Sequence, residues 1–499
     1  MRHTFICIGW IAVAFIALYL RVNNLGDNPV HFDEATGASI LGQALSGEYP
    51  GFDPKHFHGP WLRESTILIA RLRGENNWNS LSVETLRLGP AVAGCLLCLT
   101  PLLWIGTIRP MSALAAGALL ATSPLAVYYS RIYIHESWLA LFGMLSCATI
   151  YRFLKNPNQG ISIFAGISIG LMFATKETFV VYILAWAIAG SLFLFFHTAE
   201  GVRPQFRDYL KPFISICFWC VLISAIFYTD YFRNPTAYTE AFRTFFIYET
   251  TAGHTKPFTY YFHLLLWPKQ ALGLIWTEVL VAILACITIP LSLRNKHQVG
   301  LIRFIAVAVV VQFLIYSFIN YKTPWLMLLT WAHVCLWAGM LFQTWSHFSR
   351  IKQSLLSILF ISSLGWQVQQ SFEVTGNISN DARNPYAYAP SSKDLTNLPQ
   401  WLENLSATAH IQPAAVVGSS FWPLPWYLRT IENLTYWSDI HPDFSKYAVV
   451  FVMPEHTAKA DKLLLKSHQR LPRGLRENVA IMMYLRYDIW DKWTKKETL

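Results

Sequence analysis

Along its first three quarters the chain alternates apolar runs of roughly 17–22 residues with short polar breaks, each run long enough to cross about 30 Å of hydrocarbon as a helix. Spans are expected at 4–20, 88–108, 111–128, 137–154, 160–175, 178–197, 212–229, 270–293, 301–319, 325–345 and 353–370. The stretch 160–197 is the most instructive. As one helix its length would be roughly 57 Å, about twice the hydrocarbon core. Lys176 and Glu177 stand at its middle. Each would cost roughly 2.5–3.5 kcal/mol at the bilayer centre, so the pattern predicts a hairpin that carries the pair to the interface.

Beyond 371 the pattern changes. Turn-rich Asn-Pro and Ser-Ser segments precede short apolar runs that predict strands at 414–417, 447–453 and 479–484. A helix is expected to start near Trp422, and a charged one around 455–467. The expected fold class is a polytopic α-helical membrane protein of about eleven transmembrane helices, residues 1–371, with a first outer loop at 21–87. A small C-terminal extracytoplasmic α/β domain follows over 372–499.

Composition supports lipid exposure, since 54% of residues are hydrophobic, only 14% are charged and the mean hydropathy is +0.34. The net charge of +10 is a matter of topology. With the N-terminus inside, the inner segments hold Arg109, Arg152, Lys155, Arg207, Lys211, Arg350 and Lys352, and few acids oppose them. The long loops 21–87 and 230–269 and the tail then lie outside a cytoplasmic (inner) membrane. No basic helix or RNA-binding motif is present, so nucleic acid is not an expected partner. Residues 4–20 follow Arg2 and His3 as a signal peptide would, but no small-x-small cleavage site comes before Arg21, so a retained first helix is predicted. All eight cysteines fall in apolar segments and read as packed or lipid-facing thiols.

The polar motifs collect on the predicted outer face. First is His31-Phe32-Asp33-Glu34, ahead of a helical pattern of Ala35, Ala38, Leu41, Ala44 and Leu45 that ends at Gly47. Asp33 as an N-cap with Glu34 as a first-turn acid is the bland reading; a catalytic carboxylate is the sharp one. Next come His56 and His58, which share a direction in an extended segment and suit a phosphate or a metal, with Glu136 as a third ligand. Tyr129-Ser130-Arg131 leads to His135 and Glu136, and Arg131 is costly to hold near lipid without a use. Lys176-Glu177 and Tyr321-Lys322 set lysines at helix ends, where snorkelling is the alternative account. Glu249 is the natural further acid of the loop 248–263.

At these residues the sequence resembles the GT-C membrane glycosyltransferases, among them protein O-mannosyltransferases and the aminoarabinose transferase of lipid A. Arg87–Pro90 carries part of that resemblance, and Asp33-Glu34, His58-Gly59-Pro60, Tyr129-Ser130-Arg131, Lys176-Glu177, Tyr321–Trp325 and Trp422–Tyr427 are most similar to a prokaryotic mannosyltransferase-like family labelled flippase-activity-associated. The resemblance implies a GT-C fold, a polyprenyl-phosphate sugar donor, and a base in the first outer loop at Asp33, with Glu34 as its partner. Glu136 stands where many relatives have Asp.

The expected activity is inverting transfer of a sugar from a polyprenyl-phosphate donor to an acceptor hydroxyl on a glycan, lipid or protein. Asp33 would be the general base. Arg131, Lys176, Lys322, Tyr321 and His58 would receive the donor phosphate. Glu136, His135, Glu177 and Glu249 would assist the acceptor or a divalent metal, the only cofactor the residues suggest. A lipid-linked-sugar transporter or flippase component without catalysis is the rival. It would need polar or broken helices at the bilayer midplane, whereas here the strong charges sit at helix ends.

Overall fold

The computed structural model describes residues 2–49, 51–54, 58–198, 206–247, 255–292 and 296–497. In chain order the helices are α1 (Arg2–Val22), α2 (Phe32–Leu45), α3 (Trp61–Leu72), α4 (Val83–Leu99), α5 (Pro110–Thr122), α6 (Pro124–Tyr129), α7 (Glu136–Lys155), α8 (Gln159–Thr175), α9 (Phe179–Thr198) and α10 (Phe206–Tyr228). They continue with α11 (Ala237–Ile247), α12 (Tyr260–Leu265), α13 (Val279–Ser292), α14 (Lys296–Phe318), α15 (Leu328–Gly339) and α16 (Arg350–Thr375). The last four are α17 (Leu398–Ser406), α18 (Leu424–Tyr427), α19 (Thr457–Leu464) and α20 (Tyr487–Glu497). Among the described residues seven helical spans are long and apolar enough to cross a membrane, and three shorter apolar helices accompany them. The chain is a multi-pass membrane protein.

Two compact units divide it. The first takes residues 1–25, 50–69 and 87–378. The second takes 26–49, 70–86 and 379–499, so two pieces of the first loop belong with the tail.

Within the first unit two spans differ from expectation. The start of 270–293 is not helical: β1 (Lys269–Ala271) and β2 (Leu274–Trp276) form an antiparallel hairpin around Leu272 and Gly273, both at positive φ. The expected span 111–128 is broken at Ser123, whose ψ of 121° is extended because Pro124 follows it. A break inside a helical bundle frees main-chain groups that need partners. Arg21 donates to the carbonyls of Leu120 and Ala121, each at 3.1 Å, and the Ser371 hydroxyl donates to that of Thr122 at 2.7 Å. The Ser123 hydroxyl donates to buried Glu278, which also accepts from the Trp331 and Gln367 side chains. A buried polar network thus closes the gap that proline opens.

The predicted hairpin is present: α8 ends at Thr175 and α9 begins at Phe179. Glycine sets how closely α8 meets α10. A Cβ on Gly166 would stand 2.6 Å from the Ile216 carbonyl oxygen, and one on Gly170 would stand 2.8 Å from that of Cys220. Small residues allow this approach, the usual basis of helix pairing in lipid.

The second unit is built on a five-stranded sheet of order β4-β3-β5-β7-β6, with β3 (Ala414–Val417), β4 (Leu434–Trp437), β5 (Val449–Val452), β6 (His468–Arg476) and β7 (Val479–Arg486). β3 pairs in parallel with β4 and β5, while β7 is antiparallel to β5 and β6. Every residue of β3 and β5 is buried, as unbroken apolar runs at the centre of a covered sheet should be. Val417, Val450 and Val452 pack with Phe444, Leu464 and Tyr484 in its core. The helix expected near Trp422 is the single turn α18.

The glycine contacts give a stability prediction. Gly170→Leu should destabilise the protein by about 1–3 kcal/mol through overpacking against α10. Gly160→Leu should be silent, because its Cβ would meet nothing closer than the Asn158 side chain at 3.6 Å. Thermal unfolding of the two variants in detergent checks this, and equal melting temperatures would rule out the close α8–α10 contact.

Candidate active site

The acidic motif sits where α2 begins, in the second unit. His31, not Asp33, is the N-cap. Its Nδ1 accepts the Asp33 backbone N–H at 3.2 Å, while Glu34 Oε2 accepts the His31 backbone N–H at 2.8 Å. This is a capping box with histidine in place of serine or threonine. The His31 Nε2 lies 2.9 Å from the Tyr388 carbonyl oxygen. One ring nitrogen accepts and the other donates, which fits the neutral Nε2–H tautomer.

The two neighbouring acids therefore differ. Glu34 is 1% exposed and its carboxylate is bonded to the helix start. The Asp33 side chain is 39% exposed, with Oδ2 3.6 Å from His31 Nδ1. Asp33 is the carboxylate of the pair that solvent or a substrate can reach.

In the first unit His58, His135, Glu136, Lys176 and Glu177 come together. Lys176 leaves the end of α8 and reaches Glu136, the first residue of α7, with Nζ 2.5 Å from Oε1. Both side chains are almost wholly buried, at 6% and 3% exposure. Glu177 Oε2 accepts from His58 Nδ1 at 3.0 Å, and the His58 ring meets His135 edge-on at 5.1 Å. The His135 Nε2 donates to the Gly59 carbonyl at 3.2 Å.

Gly59 has a steric reason to be glycine. A Cβ there would fall 2.2 Å from the Ala174 carbonyl oxygen, so only a bare backbone passes across the end of α8.

Electrostatics separates these groups. Burial raises the Glu177 carboxyl, but the charge and hydrogen bond of His58 and the charge of Lys176 outweigh it and hold the group at about 2. Burial first, then His58 and Lys176, push His135 well below the usual histidine range, so it is neutral and acts as a hydrogen-bonding group.

The expected cations are placed unequally. Arg131 is directed at the end of α1, donating to the carbonyls of Leu20, Asn23 and Asn24 at 3.1, 2.7 and 2.9 Å. These bonds brace the end of α1. Lys322 donates to the carbonyls of Lys256, at 3.2 Å, and Ile319, and burial pushes its amine down. Tyr321 bridges to Thr255 beside it. Trp325 lines a narrow crevice together with Glu136 and Tyr182.

His56 and Glu249 lie outside the described residues. Among those described, no three His, Cys, Asp or Glu side chains converge as a metal site, and the Glu136 of the expected His56/His58/Glu136 set takes Lys176 instead.

One constellation had no signal in the sequence. Arg63 on α3 holds Glu64 Oε1 through Nε at 2.9 Å, and the Tyr231 hydroxyl donates to Glu64 Oε2 at 3.2 Å. Tyr231 is delivered by three successive left-handed residues, Asp230, Tyr231 and Phe232, at φ 50°, 57° and 68°. Such backbone is uncommon for non-glycine residues, and of the three only Asp230 is of a type enriched there.

A family model described as dolichyl-phosphate-mannose-protein mannosyltransferase matches residues 66–228. Among solved structures, ArnT from Cupriavidus metallidurans in the apo state aligns over 97% of this chain and 98% of that one, at 14% identity and a TM-score of 0.67. The chain has the GT-C fold. The same ArnT bound to undecaprenyl phosphate aligns over 96% of this chain and 97% of its own, at 14% identity and a TM-score of 0.63. A second GT-C protein, the archaeal oligosaccharyltransferase AglB from Archaeoglobus fulgidus with an inhibitory peptide and a dolichol-phosphate, aligns over 87% of this chain and 64% of its own, at 13% identity and a TM-score of 0.56. No curated protein sequence matches the chain.

Two outcomes follow for the polar cluster of the GT-C helical unit. Lys176→Met strands the buried Glu136 carboxylate and should cost about 3–5 kcal/mol, whereas adding Glu136→Gln should recover most of that loss. Chemical unfolding of the single and double variants reads this directly, and a harmless single variant would contradict the buried pair.

The second outcome concerns pH. Glu177 has a folded value near 2 against an ordinary 4.5, so its contribution is present above 4.5 and lost as pH falls toward 2. Glu177→Gln should therefore destabilise the protein at pH 6 and approach wild type near pH 2.5. A melting-temperature difference that stays constant over this range would refute the assignment.

Proposed function

We propose that the protein is a membrane glycosyltransferase that moves a sugar from a polyprenyl-phosphate donor to an acceptor hydroxyl. The observation that carries this reading is the division of labour between two adjacent acids: Glu34 is bonded into the helix start, and Asp33 is left accessible in the first turn of α2. The GT-C fold and the family match over 66–228 make a lipid-phosphate sugar the natural donor.

In the proposed step the Asp33 carboxylate takes the proton of the acceptor hydroxyl. The acceptor oxygen forms a new bond to the anomeric carbon, the bond from that carbon to the phosphate oxygen breaks, and the polyprenyl phosphate leaves with its electron pair. Attack opposite the leaving group inverts the anomeric centre. A base at this position supplies about 10²–10⁴-fold in rate.

Developing charge on the phosphate needs donors or cations. Of the expected set, the His58 side chain is 35% exposed, while Lys176 and Lys322 are more enclosed. The excess of basic residues in the expected inner segments supports a reading in which this chemistry faces the outside of a cytoplasmic membrane, with a glycan, lipid or protein acceptor.

The test uses the full-length protein in native membranes that supply the acceptor, with undecaprenyl-phosphate mannose, glucose and aminoarabinose as labelled donors. Wild type should transfer label from one of them. Asp33→Asn should lose about 10²–10⁴-fold in rate while melting normally. Glu34→Gln should instead lower the melting temperature. Full activity in Asp33→Asn would sink the base assignment, and lipid translocation in proteoliposomes without sugar transfer would favour the transporter reading.

A further inference from the structure

Asp33 stands on a helix start that is not held by its own loop alone. Val30, two residues before α2, is 1% exposed, and both its main-chain groups are taken by side chains from the tail. Its N–H donates to the Tyr427 hydroxyl at 2.8 Å, and its carbonyl accepts from the Ser391 hydroxyl at 2.7 Å. The next residue, His31, places its Nε2 2.9 Å from the Tyr388 carbonyl oxygen. The Arg476 guanidinium lies over the ring of Phe32 at 6.0 Å. Three consecutive residues thus meet four separate positions of the tail, immediately before the carboxylate proposed as base.

Each anchor is itself fixed. Tyr427 closes the turn α18, where neighbouring Trp426 packs edge-on against Trp78 at 5.5 Å and lies under the Arg429 guanidinium at 3.9 Å. Arg429 also donates to the Leu81 carbonyl at 3.2 Å. Ser391 forms an isolated bridge with Arg476 on the edge strand β6, and the Ser392 N–H donates to the Leu475 carbonyl at 3.0 Å. The sheet edge therefore supports Ser391, Trp78 and Leu81 support the turn that carries Tyr427, and these anchors hold the main chain of Val30 just before the first turn of α2. A buried backbone must find hydrogen-bond partners, and that alone explains why bonds form here. It does not explain why they come from a remote part of the chain and converge next to Asp33.

The geometry points to Tyr427 and Ser391 as positioning residues that hold Asp33 in place for proton transfer. This rests on the reading of Asp33 as the general base. Neither hydroxyl takes part in bond making; each acts through the main chain of Val30. Displacement of a catalytic group by about 1 Å can cost on the order of 10²-fold in rate. Loss of either hydroxyl should therefore lower turnover and leave donor binding alone.

The experiment measures turnover per folded molecule, with the polyprenyl-phosphate donor used by wild type, for Tyr427→Phe, Ser391→Ala, Ser391→Thr and Asp33→Asn. Tyr427→Phe keeps the ring and removes only the hydroxyl. It and Ser391→Ala should each lower kcat about 10–100-fold, with KM for the donor within about twofold of wild type. Ser391→Thr keeps a hydroxyl and should recover most of the loss. Hydrogen exchange should show faster exchange at the Val30 amide in Tyr427→Phe. Wild-type kcat in Tyr427→Phe and Ser391→Ala overturns the positioning role even while Asp33→Asn is inactive. A loss confined to folded yield overturns it in the same way, since that is what a purely structural bond would give. Full turnover in Asp33→Asn overturns the base reading itself, which separates the two failures.

Discussion

The helical unit depends on one buried ion pair. Glu136 and Lys176 are almost fully enclosed at the ends of α7 and α8, where neither charge could stand alone. Their contact ties the start of one helix to the end of the next. Around it the chain leaves little freedom: Gly59 crosses the end of α8 with no room for a side chain, His135 bonds to the Gly59 carbonyl, and His58 is fixed by Glu177. A loop segment and the ends of two helices are thereby locked at one point. The charges that looked like chemistry in the sequence are partly the means by which an apolar bundle defines its own ends.

The same economy separates the two acids of the first loop. Asp33 and Glu34 are adjacent and chemically alike, but helix geometry gives them different tasks. The third helical position reaches back to the cap, so Glu34 bonds the His31 N–H and is buried. The second position points away, and Asp33 is accessible. The proposed base at Asp33 is supported by this geometry rather than by acidity, because the two carboxyls would be equivalent in a flexible loop.

Much of the helical architecture was legible because a bilayer permits few alternatives. The lengths of the apolar runs located most spans, and Lys176-Glu177 announced the turn between α8 and α9. Where reading failed, the cause was local. The run at 270–278 is apolar enough for a span, but Leu272 and Gly273 adopt positive φ and make a hairpin, which hydropathy does not sense. Pro124 breaks a run that looked continuous, and Arg21, Ser371 and Glu278 satisfy the exposed groups from sites far apart in sequence.

The site was legible in composition but not in use. Arg131 and Lys322 were conspicuous as charges near lipid, yet their donors are directed at carbonyls. Tyr231 and Glu64 gave no sign of meeting, because in the left-handed turn that joins them only Asp230 is of a type enriched there. In the tail, the apolar strands β3 and β5 stood out, while the polar edge strands β4 and β6 did not.

The most direct test of the account is a structure of the protein with a non-hydrolysable polyprenyl-phosphate sugar bound. The account predicts the Asp33 carboxylate within about 3–3.5 Å of the site an acceptor hydroxyl would occupy, opposite the phosphate across the anomeric carbon. Glu34 should still be bonded to the His31 N–H. A bound sugar whose anomeric carbon faces Glu136, Glu177 or another acid, with Asp33 turned away from it, would contradict the central claim.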